Sequence, residues 1–289
     1  MIISIASGKG GTGKTTVAAN LALSINGAVQ VLDCDVEEPD LHLFMKPVLK
    51  RKSTATVPIP EVDESKCTYC GKCQRVCAYN AIAVLPKTDD RSGSVLIFPH
   101  LCHSCGACSL LCPENAIIEI DKGIGVIELG DCGDIQFVHG VLNIGEVMSP
   151  SLIRQVKAHI NPARTAIIDC PPGTSCPVIA AVQESDFCIL VTEPTPFGLN
   201  DLVLAVEVLN KMEIPHGVVI NRSDIGNDEV DHYCKENNIP ILMRIPFDRE
   251  IASMYSVGTP MVRQKKEYIG KFQDMFDIIR VGWLEGKVK

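Results

Sequence analysis

Short runs dominated by apolar residues recur along the chain, separated by breaks rich in Gly, Pro and Asp. Met1 to Ala6, Val29 to Leu32, Thr165 to Ile168, Phe187 to Val191, Gly217 to Ile220 and Ile241 to Ile245 are of this kind. They are too continuous for strands with one wet face, and read as parallel strands covered on both sides. Val17 to Ile25 and Pro150 to Ile160 read as helices between them, and Pro39-Asp40 opens a short one. Gln136-Phe137-Val138 and Val141-Leu142-Asn143-Ile144 read as further strand material. Strand alternating with helix predicts an α/β fold: a mostly parallel, doubly wound sheet flanked by helices.

The pattern breaks in the middle. Residues 51–62, with Arg51-Lys52, then Ser, Thr, Pro58 and Pro60, read as a linker. Residues 63–121 then form a separate module dense in cysteine, and 122–289 resume the first pattern. The expected organisation is therefore a discontinuous domain, 1–62 plus 122–289, interrupted by a small insert.

Candidate chemistry begins in the first break. Ser7-Gly8-Lys9-Gly10-Gly11-Thr12-Gly13-Lys14-Thr15-Thr16 lies between a strand and a helix, the context a phosphate-binding loop requires. Its glycines let backbone N–H groups turn toward anionic oxygens, and the helix N-terminus adds partial positive charge. Gly8, Lys9, Gly10, Gly11, Thr12, Gly13, Lys14, Thr15 and Thr16 are thus candidates for binding ATP. Lys14 would reach the β- and γ-phosphates, and the Thr15 hydroxyl would ligate Mg²⁺.

The second lysine of the loop, Lys9, makes it resemble the deviant-Walker ATPases of the MinD/ParA/Mrp superfamily, whose signature reads K-G-G-x-G-K-[ST]. The resemblance extends over the whole nucleotide domain and implies a Mg-dependent ATPase. It implies that Lys9 crosses to a partner's nucleotide in a dimer, either of this chain or with a paralogue. Asp33-Cys34-Asp35 ends one strand, and carboxylates there point into the ligand crevice of such sheets. By the resemblance Asp35 orients the attacking water and Asp33 supports the Mg²⁺ site. Asp169 matches the Walker B aspartate, and Pro171-Pro172-Gly173-Thr174 a segment that senses the γ-phosphate. Asn221, with Arg222 beside it, matches a position that reads adenine, and Pro246-Phe247-Asp248 packs beside the base. MinD proteins end in a membrane-binding helix. The run from Tyr268 to Trp283 has few basic residues and reads instead as core packing.

Eight of fourteen cysteines stand in two runs. Cys67-x2-Cys70-x2-Cys73-x3-Cys77 is followed by Cys102-x2-Cys105-x2-Cys108-x3-Cys112-Pro113. The spacing resembles bacterial two-cluster ferredoxins, in which the fourth cysteine of each run serves the other cluster. The resemblance implies one [4Fe–4S] cluster on Cys67, Cys70, Cys73 and Cys112 and a second on Cys102, Cys105, Cys108 and Cys77, in a small α+β domain. Cys77-Ala78-Tyr79-Asn80-Ala81-Ile82 echoes Cys112-Pro113-Glu114-Asn115-Ala116-Ile117, with Ala78 departing from the usual proline. Zinc is the other metal such spacing admits. His103 reads as a solvated neighbour of the thiolates. Of the other six cysteines, Cys34, Cys188 and Cys234 read as small core residues. Cys176, seven residues past Asp169, matches the offset of a bridging-cluster ligand in the nitrogenase iron protein and is a candidate for an extra cluster.

Composition narrows the function classes. A net charge of −8 argues against a nucleic-acid surface. No apolar stretch spans a bilayer, and no basic leader precedes the first strand, which together predict a cytoplasmic protein. The expected activity is slow ATP hydrolysis coupled, through dimer switching, to electron transfer with a redox partner. Two alternatives remain: a cluster carrier of Mrp type delivering to an acceptor, and a positioning ATPase of MinD/ParA type with a docking insert.

Overall fold

The computed structural model describes residues 1–284. The chain divides into two compact units, one of Met1–Ser53, Ile127–Val141 and from Ile153 onward, the other of Thr54–Val126 and Leu142–Leu152. Its elements in order are β1 (Ile2–Ala6), α1 (Lys14–Ser24), β2 (Val29–Asp33), α2 (Leu41–Met45), β3 (Val48–Val62), α3 (Lys72–Val76), β4 (Ile82–Leu85) and β5 (Ser94–Ile97). Then come α4 (Ala107–Leu110), β6 (Ile117–Cys132), β7 (Ile135–Leu142), α5 (Ser149–Lys157), β8 (Thr165–Asp169), α6 (Cys176–Val182) and β9 (Phe187–Thr192). The chain closes with α7 (Pro196–Lys211), β10 (His216–Asn221), α8 (Glu229–Glu236), β11 (Ile241–Ile245), α9 (Arg249–Ser256) and α10 (Glu267–Leu284).

The large sheet runs in the order β11-β10-β9-β1-β8-β2-β7-β6-β3. Every pairing from β11 through β7 is parallel, and β6 turns back into β7 through Gly133 at φ 59°. The central strands carry apolar residues on both faces because helices cover both. Ile3, Ile5, Val31, Ile167, Ile189 and Val219 are all fully buried. Along α10, Tyr268, Phe272, Met275, Phe276 and Ile279 recur at helical spacing and are buried in this core. That makes α10 a packing helix; the side chain of Trp283 lies outside the described residues. No helix among the described residues is long and apolar enough to cross a membrane.

Parallel register brings the functional ends together. Ile5 stands opposite Asp169 and Asp33 opposite Asp169, so the breaks after β1, β2 and β8 open at one carboxyl edge. Ligands bind at that edge in open α/β sheets.

The segment 51–62, expected as a linker, is part of a fifteen-residue strand. Ala55, Val57 and Ile59 alternate as buried residues, a period of two that the prolines masked. Pro58 and Pro60 are two apart, so both missing N–H groups fall on the same side of β3, the last strand in the order. Proline is tolerated on such an outer edge. The two strand segments expected around residues 136–144 are one strand, β7. In the second unit β4 and β5 form an antiparallel hairpin, and Leu142–Leu152 is tied in by the Lys122–Glu146 ion pair at 2.6 Å. That unit is wider than 63–121 because β3 and β6 each continue into it.

Ile167 is fully buried at the centre of the sheet. Ile167→Ala should lower unfolding free energy by about 2–5 kcal/mol, read from the urea midpoint at unchanged slope.

Candidate functional site

A cleft of about 440 Å³ opens in the first unit, lined by Gly10, Gly11, Gly13, Lys14, Thr15 and Thr16 on one side. Helix α1 begins at Lys14, and Gly13 before it has φ 99°, a conformation that only glycine adopts without strain. A Cβ on Gly13 would also sit 2.6 Å from Asn221 Nδ2, which donates to the Thr12 carbonyl at 2.8 Å. The loop is therefore held open-handed by Asn221, with the first free N–H groups of α1 at its mouth.

Opposite Lys14 lie carboxylates. Asp169 is buried, and neither of its oxygens has a hydrogen bond of ordinary geometry. Burial raises its pKa to about 7, against the pull of neighbouring Thr15 and Lys14 and with further push from Asp35 and Asp40. Burial likewise raises Asp35 to about 6, opposed by Lys14 and assisted by Asp40. Burial and the neighbouring Asp169 raise Asp33 as well, opposed by two backbone hydrogen bonds. Its Oδ1 accepts the Asp35 N–H at 3.1 Å and its Oδ2 the Leu41 N–H at 3.0 Å, so it shapes the loop carrying Asp35. A divalent cation suits the Asp169 oxygens beside the Thr15 hydroxyl and would neutralise this cluster. Glu193, at the end of β9, pairs with Lys9 at 3.7 Å and with Arg222 at 2.8 Å.

In the second unit the cysteine runs repeat one backbone design. Tyr69 and Ser104 have φ 55° and 54°, Gly71 and Gly106 φ 70° and 72°, Asn80 and Asn115 φ 52° and 47°. Sulfur contacts repeat too. Tyr69 and Ser104 N–H donate to Cys67 and Cys102 Sγ at 3.4 Å, and Ala81 and Ala116 N–H to Cys77 and Cys112 Sγ at 3.3 Å. Such N–H···S bonds favour the thiolate form. Cys67, Cys70, Cys73 and Cys112 line a single cavity walled by Val62, Val84, Val95 and Ile117. Among the described residues no three His, Cys, Asp or Glu side chains come together as a ready-made metal-ion site.

Residues 3–261 match the model of the CobQ/CobB/MinD/ParA nucleotide binding domain. The chain belongs to that family. Over 260 residues it is 36% identical to an uncharacterized protein of Methanocaldococcus jannaschii, covering 88% of this chain and 87% of the relative. It is 27% identical over 280 residues to an iron-sulfur cluster carrier protein of Pyrococcus horikoshii, covering 90% and 78%. The septum site-determining protein MinD of Pyrococcus horikoshii OT3, solved with Mg-ADP, shares the fold at TM-score 0.59 and 23% identity, over 100% of this chain and 98% of that one.

Within this CobQ/CobB/MinD/ParA domain the cleft gathers Asp35, Asn221, Arg222, Pro246 and Asp248 with the phosphate loop. Gly8, Lys9 and Thr12 lie behind the loop, against Thr192, Asp201 and Leu202. Cys176 is exposed at the start of α6, while Cys34, Cys170, Cys188 and Cys234 are buried. Cys132 donates to the Met45 carbonyl. His103 is exposed, as expected, and it also stacks on Tyr79 at 3.7 Å between centroids, because the repeat brings the two cysteine loops side by side. Asp40, Ile251, Ala252 and Tyr255 also line the cleft without having been singled out. Asp40 passes for a helix cap in sequence, and α9 carries no motif.

The raised acids set a pH dependence. A carboxyl raised by burial contributes stability below its ordinary value of 3.8 and loses it as pH rises through about 6 for Asp35 and about 7 for Asp169. The nucleotide-free, Mg-free protein should therefore melt at lower temperature at pH 8 than at pH 5. Asp169→Asn should raise the pH 8 melting temperature and remove the upper part of the slope, checked by calorimetry across that range.

Proposed function

We propose that this chain is an ATP-operated iron–sulfur protein. In this reading Mg-ATP, bound and slowly hydrolysed between two copies or between this chain and a paralogue, governs electron transfer to a redox partner through a ferredoxin-like second unit. The observation that carries it is the matched pair of cysteine loops, residue for residue in sulfur bonding and in left-handed backbone. Cys67, Cys70, Cys73 and Cys112 would hold one [4Fe–4S] cluster, and Cys102, Cys105, Cys108 and Cys77 the other. Supporting this are four thiols around an apolar cavity and an N–H···S bond on each of four cysteines, which stabilise anionic sulfur. When bound, the clusters supply one-electron storage and relay.

In the nucleotide unit Lys14 takes the phosphates' charge, Thr15 and Asp169 would hold Mg²⁺, and Asp35 orients the attacking water. The buried, unpaired oxygens of Asp169 support that assignment. Lys9 is the residue proposed to reach the partner's nucleotide; alone, it rests on Glu193. Asn221 and Arg222, with Pro246 and Asp248, form the base end. Cys176, exposed beside this edge, would be free to ligate a cluster shared between protomers.

A second reading, cluster carriage to an acceptor protein, is favoured by the likeness to the Pyrococcus carrier protein. The first test is an anaerobic redox titration followed by electron paramagnetic resonance, with ADP and with a non-hydrolysable ATP analogue. A nucleotide-dependent change supports electron transfer. Identical titrations with loss of cluster to an apo-acceptor would replace it with carriage.

Three variants sharpen the assignment. Lys14→Ala should weaken ATP binding roughly 10- to 100-fold, the loss of a charge-assisted contact, measured by fluorescent-nucleotide titration. Asp35→Ala should stop turnover with ATP still bound; normal hydrolysis would remove Asp35 from its role. Reconstituted protein should carry about eight irons per chain, or about ten if Cys176 holds a shared cluster, and Cys112→Ala about four fewer, since one run's last cysteine serves the other's cluster.

A further inference from the structure

Helix α2 is only five residues long, yet it touches several separate parts of the nucleotide unit. Leu41 N–H is held by Asp33, the residue that shapes the loop of Asp35. The Leu43 carbonyl lies 2.8 Å from where a Cβ on Gly258 would stand, behind α9. Phe44 packs on Tyr255 of α9 at 5.1 Å between centroids, and Tyr255 lines the cleft. The Met45 carbonyl accepts from Cys132 at the end of β6. His42 meets the edge of His139 at 5.6 Å. The helix thus sits directly behind Asp35, Glu38 and Asp40, all of which face the cleft.

From His139 a chain of polar contacts runs across the sheet. His139 lies on β7, opposite Asp33 of β2. Its Nε2 lies 2.8 Å from Glu128 Oε2 on β6, and Glu128 Oε1 pairs with Lys52 Nζ on β3 at 3.0 Å. The Nδ1 atoms of His42 and His139 are buried without partners. The imidazoles are therefore positioned by packing and by Glu128 rather than by a saturated network. Both β3 and β6 continue from this unit into the cysteine unit, at Ser53–Thr54 and Val126–Ile127.

We infer that α2 and the His42–His139–Glu128–Lys52 chain carry the state of the nucleotide cleft to the strands that lead into the cysteine unit. The inference rests on the ATP-operated reading above. His139 is a positioning residue: it touches neither nucleotide nor sulfur and acts through Glu128. Spatial intermediacy alone does not establish coupling, so the test must read transmission itself.

Hydrogen–deuterium exchange on the cluster-loaded full chain supplies that readout, with Mg²⁺ plus ADP, with Mg²⁺ plus a non-hydrolysable ATP analogue, and without nucleotide. In the wild type the analogue should slow exchange several-fold in residues 127–132 and 48–53. His139→Phe should abolish both responses with unchanged nucleotide affinity, and His139→Gln, which keeps a donor for Glu128, should restore part of them. Lys52→Met, a surface change that leaves the core intact, should lose the response in 48–53 and keep it in 127–132. Wild-type responses in every variant, or none in the wild type, would overturn the inference. Transmission that dies with His139 while the paramagnetic spectrum ignores nucleotide would uphold it and instead sink electron transfer as the function.

Discussion

A carboxylate in a protein core without a hydrogen-bond partner is costly, and the nucleotide unit is arranged around one. Asp169 ends a central strand flanked by the strands that deliver the phosphate loop and Asp33. Parallel register leaves no freedom in where those ends fall. Lys14 is the cation that pulls on it, and its effect is outweighed by burial and by Asp35 and Asp40. Such a site is poorly satisfied when empty. Its deficiency is what a divalent cation with a triphosphate can repair, so ligand binding and local stability are linked through the same oxygens.

Glu193 solves a related difficulty on the other side of the loop. Lys9 stands behind the glycines, away from the cleft, where a bare ammonium would repel Arg222. Glu193 pairs with both. The arrangement is half-exposed at Lys9, so its net contribution is small. Lys9 is thus parked rather than buried, and a competing anion brought by another protein surface has little to displace.

The parts of this design that were legible in sequence share one property: their chemistry is local. The phosphate loop needs contiguous glycines before Lys14, and each cysteine run wraps within eleven residues of chain, so spacing alone reveals them. Buried parallel strands were legible because both faces are covered. The rest depends on contacts distant in sequence. Pro58 and Pro60 disguised β3, since only an outer-edge position makes two prolines harmless. Asp33 and Asp35 look interchangeable as letters, yet one is tied to backbone N–H groups and the other faces the cleft. His139 and Glu128 carry no motif, because strand pairing across a turn is what makes them partners. Tyr255 reaches the cleft only because α9 is carried there.

The two cysteine loops agree in φ to within a few degrees at their three left-handed positions, but not in their surroundings. Arg75 donates to the Cys70 carbonyl in the first. In the second the corresponding helix position is the exposed Leu110, and Glu119 takes the Ser109 hydroxyl beside Gly106. A cation thus stands near one set of thiols and a carboxylate near the other, both exposed and screened by solvent. The four N–H···S bonds, by contrast, are matched between the two runs. The repeat thus supplies a common loop geometry, and a few flanking side chains make its two halves unlike in charge.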